Sequence, residues 1–336
     1  MSTKVAVNGF GRIGRLVSQI ILKSHSQDLE LVAVNDLAPT KTMAHLFEYD
    51  SVYGKYTGQV KAEENAIIVD GQEIKVFHEK DPKALPWKDL GVEVVIESTG
   101  VFRTYEQAHW HIEAGAKKVI LSAPGKEDGR EIPIFVPGVN LNKLTAEMDV
   151  VSMASCTTNC LAPILKILNE KIGIENSLMT TVHSYTNDQS LVDSENKDLR
   201  RARAAALSMI PTTTGAATSA AKTVEGMEGK IDGMAIRVPT PTVSIVDLTA
   251  ILSREVSVEE INQLFKAAEK GELAGILGTC DEPLVSIDYR QDPRSSIVDL
   301  PLTQVSKNLV KVFSWYDNEW GYSSRLAEFT VIVAKK

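Results

Sequence analysis

The chain has 336 residues, 43% of them hydrophobic and 24% charged, with a formal net charge of −8 at pH 7 and a pI near 5.4. That length exceeds what one ordinary core serves and calls for two domains, and the acidic balance argues against nucleic acid as the main partner. No apolar stretch approaches a bilayer span, the start shows no signal-peptide core, and three cysteines cannot build a disulfide framework, so a reducing cytoplasm is expected.

In chain order, Val5-Ala6-Val7-Asn8 reads as a buried strand and runs directly into Gly9-Phe10-Gly11-Arg12-Ile13-Gly14. Ile13, Leu16, Val17, Ile20 and Ile21 then recur at the spacing of an amphipathic helix, and a second strand, Leu31-Val32-Ala33-Val34, ends at Asn35-Asp36. Strand, glycines, helix, strand and terminal acid in that order form a dinucleotide-binding fingerprint. Gly9 permits the tight turn, Gly11 lets the backbone approach a pyrophosphate, and Gly14 lets helix and strand pack closely. The amides near Arg12 and Ile13 would face the pyrophosphate. Asp36 would accept hydrogen bonds from the adenosine ribose and repel a 2′-phosphate, which favours NAD over NADP. The alternation continues with a strand over Val92–Glu97, a helix near Tyr105–Glu113 and a strand over Lys118–Leu121. Residues 1–154 are therefore expected to form a Rossmann-type, doubly wound NAD-binding domain.

The pattern then changes. Ser155 is a candidate N-cap, Cys156 lies in the first turn, and Leu161, Ile164, Leu165, Leu168 and Ile172 continue a helix that Gly173 would stop. Open amides and the dipole at a helix start favour a thiolate. Strands are predicted at Leu178–His183, Asp232–Val238, Val243–Leu252, Val285–Arg290, Ser296–Leu300 and Leu309–Trp315, with one clear helix near Val258–Lys270. Long strands with few helices between them predict an α+β catalytic domain, residues 155–320, with a mostly antiparallel sheet. A final helix, 321–336, carries Tyr322, Leu326, Phe329 and Val333 on one face and should pack back onto the first domain.

Of the six histidines, only His183 falls in the catalytic half, at a strand end, which makes it the candidate base for Cys156. Cys156 and Cys160 have no second ligand pair, so no metal is expected. Thr212-Thr213-Thr214-Gly215 and Arg237 look like anion sites. The basic cluster Arg200, Arg201 and Arg203 reads as a solvated face or a subunit interface.

Together these residues resemble phosphorylating glyceraldehyde-3-phosphate dehydrogenase over essentially the whole chain. The markers are Asn8-Gly-Phe-Gly-Arg-Ile-Gly-Arg15, Ala154-Ser-Cys-Thr-Thr-Asn-Cys160, Thr181-Val-His-Ser-Tyr-Thr186, Asp198-Leu-Arg-Arg-Ala-Arg-Ala204, Thr213-Thr-Gly-Ala-Ala217, Arg237-Val-Pro-Thr-Pro241 and Trp315-Tyr-Asp-Asn-Glu-Trp-Gly-Tyr322. The resemblance implies that Cys156 attacks the aldehyde, that His183 handles the protons, and that inorganic phosphate attacks the resulting thioester. It implies that Thr186 and Arg237 hold the substrate phosphate, while Ser155, Thr157, Thr214 and Gly215 hold the attacking one. Asn318 would fix the nicotinamide amide and Tyr322 would flank its ring. Lys80, Thr99 and Phe102 would lie near adenine, and Ser122 near the nicotinamide ribose. Cys160 would be structural. A homotetramer is implied, and the nearest rival is erythrose-4-phosphate dehydrogenase, which releases a free acid. One departure is Ser194-Glu195, where NAD-specific members commonly carry Leu-Pro; it leaves the strictness of NAD preference open.

Overall fold

The computed structural model describes residues 2–126 and 129–336, which group into two compact units. The first holds Met1–Phe135, Lys143–Ala154 and Ser323–Lys336; the second holds Val136–Asn142 and Ser155–Tyr322.

Apolar β-branched runs make the central strands of the first unit. Thr3–Asn8 pairs in parallel with Leu29–Asn35 on one side and Val94–Glu97 on the other. Lys118–Leu121, Val150–Ser152 and Gln72–Phe77 extend the parallel sheet. Val60–Ala62 and Ala66–Val69 add an antiparallel edge, completing eight strands. This edge was not foreseen, because its short strands carry no long apolar run. The chain leaves Thr3–Asn8 toward Leu29–Asn35 and returns on the opposite side at Val94–Glu97. Such a reversal opens a crevice at the carboxyl ends of the strands. The helix Arg12–Ser24 buries Leu16, Val17, Ile20 and Ile21. The helix Tyr105–Glu113 starts in a capping box made by Thr104 and Gln107. Val5, Leu31 and Val95 are fully buried, each contributing about 1.5–3 kcal/mol by leaving water.

In the second unit the strand order is Ile210–Thr213, Ile231–Val238, Ile174–Ser184, Ser244–Leu252, Leu309–Tyr316, Ser296–Asp299, Leu277–Cys280. Most pairs are antiparallel; Ile174–Ser184 with Ile231–Val238 and Leu277–Cys280 with Ser296–Asp299 are parallel. Val246, Leu248 and Ala250 alternate inward along one strand, and Val310 and Val312 along its neighbour. They share a core with Leu161, Ile164, Leu165 and Leu168 of the helix Cys156–Lys171 and with Phe265 of Val258–Lys270.

Three details differ from the sequence expectation. Residues 136–142 group with the second unit, because Val136 joins its core and Gly138 packs tightly: a Cβ there would stand 2.7 Å from Ile276 and 2.8 Å from Leu273. The last helix, Trp320–Ala334, is divided at Ser323, and its later part belongs to the first unit, where Phe329 meets Phe135 at 6.1 Å. Val285–Arg290 is not a strand. Val285 and Ile287 are exposed, and the Asp288 carboxylate accepts the Val285 amide at 2.8 Å, curling Ser286–Tyr289 into a 3₁₀ turn.

Candidate functional site

Gly9 has φ +91°, and a Cβ there would lie 2.6 Å from the Thr99 amide nitrogen. A Cβ on Gly14 would lie 2.0 Å from the Gly9 carbonyl. Both positions therefore demand glycine, and they bring the first helix hard against the crevice. Gly11, the N-cap of that helix, makes no side-chain cap and has nothing within 4 Å of where a Cβ would stand. The space in front of the helix start is thus open, as a backbone that receives a phosphate requires.

The resulting cleft has a volume of about 400 Å³ and is lined by Gly9, Gly11, Asp36, Lys80, Thr99 and Phe102 of the expected set. Asn8, Asn35, Leu37, Glu79, Ser98 and Val101, which the sequence reading did not single out, complete it. Asp36 Oδ2 accepts the Phe10 amide at 2.7 Å and Oδ1 accepts the Ala38 amide at 3.0 Å. These bonds aim the carboxylate and leave lone pairs for ribose hydroxyls. An apolar wall, a placed carboxylate and an open helix start fit the adenosine half of a dinucleotide. Arg12 turns its guanidinium to Asp50, at 2.5 Å, and only its backbone remains for the turn. Arg12, Ile13, Gly14 and Ser122 do not line this cleft. Ser122 follows its strand and gives its amide to the Glu97 carbonyl at 2.9 Å.

In the second unit, strand register builds another pocket. His183 pairs with Arg237 across parallel strands, and Ile210 pairs with Arg237 on its far side. Ser155 caps the Cys156–Lys171 helix by accepting the Thr158 amide at 3.1 Å. These elements enclose a pocket of about 220 Å³ lined by Ser155, Cys156, Thr157, His183, Thr214, Gly215 and Arg237. Thr181, Arg201, Thr213 and Ala235 complete the lining. Cys156 Sγ lies 3.5 Å from His183 Nε2. His183 Nδ1 is 2.7 Å from the Ser184 carbonyl and 3.3 Å from Arg237 Nη1. The shorter contact is to an oxygen that can only accept, so the ring proton sits on Nδ1 and Nε2 is left to take a proton from the thiol.

Burial pushes the Cys156 thiol up, against the expected thiolate, while the Arg237 charge and the Thr157 and Cys156 amides pull it back down. Burial and Arg237 both push the His183 imidazole down. Neither charge is favoured alone. Moving the proton from Sγ to Nε2 creates both together, and at this separation their attraction is about 4–5 kcal/mol at an effective dielectric near 20.

Arg237 Nη1 donates to the Ser184 carbonyl at 3.1 Å and to Thr186 Oγ1 at 2.8 Å, whereas its buried Nε has no partner among the described residues. Asp188 faces the same group, pairing with Arg201 and Thr186 and standing 3.8 Å from Arg237. Gly215 is the N-cap of the helix Ala216–Thr223, whose first amide donates to Thr214 Oγ1 at 3.2 Å, so two helix starts, each with one amide held by a hydroxyl, face one pocket. Of the basic cluster, Arg201 does not stand on a solvated face: it walls the pocket, donating to Thr212 Oγ1 at 2.9 Å and to the Thr213 carbonyl at 3.2 Å. No spacing rule distinguishes it from Arg200 and Arg203. Thr157 Oγ1 and Thr181 Oγ1 both meet the buried Tyr316 hydroxyl, at 2.7 and 2.8 Å. Asn318 Oδ1 accepts the Ser184 and Ser244 hydroxyls at 2.8 and 3.1 Å, turning the amide nitrogen away from them, and Tyr322 is buried. Cys160 is fully buried against Ser296 and Ser314, and burial raises its pKa to about 12. Among the described residues no cluster of side chains could hold a metal.

A family model described as the NAD binding domain of glyceraldehyde 3-phosphate dehydrogenase matches residues 3–105, and one described as its C-terminal domain matches residues 155–318. The chain is 53% identical over 336 residues to glyceraldehyde-3-phosphate dehydrogenase 1 of Bacillus cereus, covering 99% of both chains. It is 56% identical over 333 residues to the Thermotoga maritima glyceraldehyde-3-phosphate dehydrogenase, again covering 99% of both. With the Geobacillus stearothermophilus enzyme of that name it shares 53% over 338 residues, covering 100% of this chain and 99% of the relative.

Proposed function

The chain belongs to the glyceraldehyde-3-phosphate dehydrogenase family, and we propose that it converts glyceraldehyde 3-phosphate and inorganic phosphate to 1,3-bisphosphoglycerate with NAD, using Cys156 and His183. The observation that carries the catalytic assignment is the Sγ–Nε2 approach of 3.5 Å inside a pocket walled by two arginines.

His183 Nε2 takes the thiol proton as Sγ forms its bond to the aldehyde carbon and returns it to the carbonyl oxygen, giving a thiohemiacetal hydroxyl and a neutral imidazole. The amides at the start of the Cys156 helix favour the charge that develops on sulfur and oxygen. His183 then receives the hydroxyl proton as the carbon becomes a thioester carbonyl. NAD, when bound, supplies the hydride acceptor for that oxidation. Phosphate adds to the thioester carbon, the C–S bond breaks, and Cys156 leaves as thiolate with the acyl phosphate as product. General base catalysis of this kind contributes about 10²–10⁴-fold.

Arg237 and Thr186 hold the substrate phosphate, and Ser155, Thr157, Thr214 and Gly215 the attacking one. The buried Arg237 Nε, without a partner among the described residues, and the place of Thr214 and Gly215 in the pocket lining support this division. Gly9, Gly11, Arg12, Ile13 and Gly14 form the turn and helix start that receive the pyrophosphate. Asp36 holds the adenosine ribose, Lys80, Thr99 and Phe102 flank adenine, Ser122 lies by the nicotinamide ribose, and Asn318 and Tyr322 serve the nicotinamide. Asp36, in the cleft, favours NAD over NADP.

The protein assembles as a homotetramer. The exposed apolar side chains Leu178, Leu191, Val192, Leu199, Leu207 and Met209 support self-association. No helix of the described residues is long and apolar enough to cross a membrane. Three free cysteines support residence in the cytoplasm.

The test is NAD reduction by purified protein with glyceraldehyde 3-phosphate. Turnover should require phosphate or arsenate; equal rates without either would overturn the assignment and favour the acid-releasing erythrose-4-phosphate rival.

A further inference from the structure

Asn8 ends its strand paired in register with Asn35 on one side and Glu97 on the other, so three polar side chains stand abreast at the floor of the cofactor cleft. Asn8 is 1% exposed, Asn35 4%, Glu97 3%, and His111 beside them 0%. Groups so deeply buried must be mutually satisfied.

Their hydrogen bonds run in one direction. The backbone of Glu79 orients the Asn35 amide: its N–H reaches Oδ1 at 2.8 Å, and its carbonyl accepts Nδ2 at 2.9 Å. Asn35 Nδ2 also donates to Asn8 Oδ1 at 2.7 Å. Asn8 is thereby turned so that its Nδ2 donates to Glu97 Oε2 at 2.5 Å. From the other end, the Trp87 indole N–H donates to His111 Nδ1 at 3.0 Å. An indole can only donate, so the histidine proton sits on Nε2, 3.2 Å from the same Glu97 oxygen. Glu97 Oε1 accepts the Thr99 amide at 2.8 Å and the Thr99 hydroxyl at 2.5 Å. Every neighbour therefore donates to Glu97, and the fixed groups at each end keep Asn8 and His111 from turning round.

We propose that Glu97 is the positioning residue of the cofactor cleft, the acceptor on which the Trp87–His111 and Asn35–Asn8 chains converge and which fixes Asn8 in the floor and presents Thr99 to NAD. The Thr99 hydroxyl proton is spent on Glu97, and its oxygen takes the Val101 amide at 3.0 Å, so Thr99 faces the cleft as an acceptor. The amide hydrogens of Asn8 and Asn35 are likewise directed within the floor. Glu97 itself lies beneath the lining and acts through Thr99 and Asn8.

The inference rests on NAD occupying this cleft, and its test is a calorimetric titration with NAD and with ADP-ribose. Glu97→Gln places an amide NH₂ or a single acceptor among donors that cannot turn. The Kd for both ligands should rise roughly tenfold or more, the cost of an unmatched buried polar group. Alkylation of Cys156 by iodoacetamide, a readout of the other unit, should stay within about twofold, where general loss of fold would change it. Adding Asn8→Asp to Glu97→Gln restores polarity. The new carboxylate accepts from Asn35 as before, from the new amide at position 97, and from His111 Nε2, which lies 3.4 Å from the atom replaced. Affinity in this double variant should return most of the way to the parent value. Parent-like binding by Glu97→Gln, or a double variant no better than the single one, overturns the proposal. If Glu97→Gln does not fold, the double variant decides: folding and binding support the proposal, and failure to fold overturns it. A parent protein that binds neither ligand overturns the cofactor reading beneath it.

Discussion

Gly9 and Gly11 stand two residues apart and separate two kinds of damage. A Cβ on Gly9 meets the Thr99 backbone nitrogen at 2.6 Å, and neither backbone can swing aside. Its φ of +91° adds left-handed strain of about 1–2 kcal/mol for an L-residue. With overpacking of about 1–3 kcal/mol on top, Gly9→Ala should cost about 3 kcal/mol in all. Gly11 has φ −74° and ψ −159°, which alanine adopts freely, and its Cβ would point into empty cleft. Losing glycine at the N-cap costs about 0.5–1 kcal/mol. The stiffer unfolded chain returns about 0.4–1 kcal/mol. These offset, so Gly11→Ala should match the parent stability to within about 0.5 kcal/mol. Its methyl group nevertheless enters the cleft at the helix start proposed to receive the pyrophosphate, and the Kd for NAD should rise about tenfold or more, ~1.4 kcal/mol. Urea unfolding followed by circular dichroism and calorimetric NAD titration measure both quantities. A Gly11→Ala protein that binds NAD like the parent refutes the backbone-approach role of Gly11. A Gly9→Ala protein as stable as the parent refutes the close-contact reading.

The other variants probe the second unit. Cys156→Ser should lower turnover by at least ~10³-fold, as loss of a nucleophile does, while NAD affinity holds; measurable turnover near the parent rate would contradict a thiohemiacetal route. Arg237→Gln removes a positive charge that lowers the Cys156 thiol, so the midpoint of iodoacetamide alkylation should move to higher pH, by about one unit. The same variant should raise KM for glyceraldehyde 3-phosphate, and an unmoved midpoint would show that Arg237 does not act on the thiol. Tyr316→Phe strands the buried Thr157 and Thr181 hydroxyls and should cost about 1–3 kcal/mol by urea unfolding. A parent-like midpoint would mean those hydroxyls find other partners.

The nucleotide half was legible because its constraints are local. A turn that crosses itself needs glycine at Gly9 and Gly14, and the helix behind it declares its buried face through Leu16, Val17, Ile20 and Ile21. Val285–Arg290 shows the limit of such reading. Its alternation satisfies a strand pattern, yet no neighbour covers Val285 and Ile287, and one carboxylate bends the segment into a turn. The place of Arg201 in the pocket wall is hidden for the converse reason, since three arginines within four residues look alike until the strand Ile210–Thr213 lies beside one of them.

The sequence alone determined that a glycine turn feeds a helix, that a cysteine opens another, and that an acid ends the second strand, because backbone sterics and helical periodicity act over a few residues. Only tertiary structure decided that His183 Nε2 meets Cys156 across 27 residues, that Arg237 lies in register with His183, and that Glu97 lies beside Asn8 from 89 residues away. Strand register sets those meetings, and register depends on how whole sheets bury their faces. The burial that brings these groups together also opposes their charges, so the proton between Cys156 and His183 is governed by the fold as well as by the helix start.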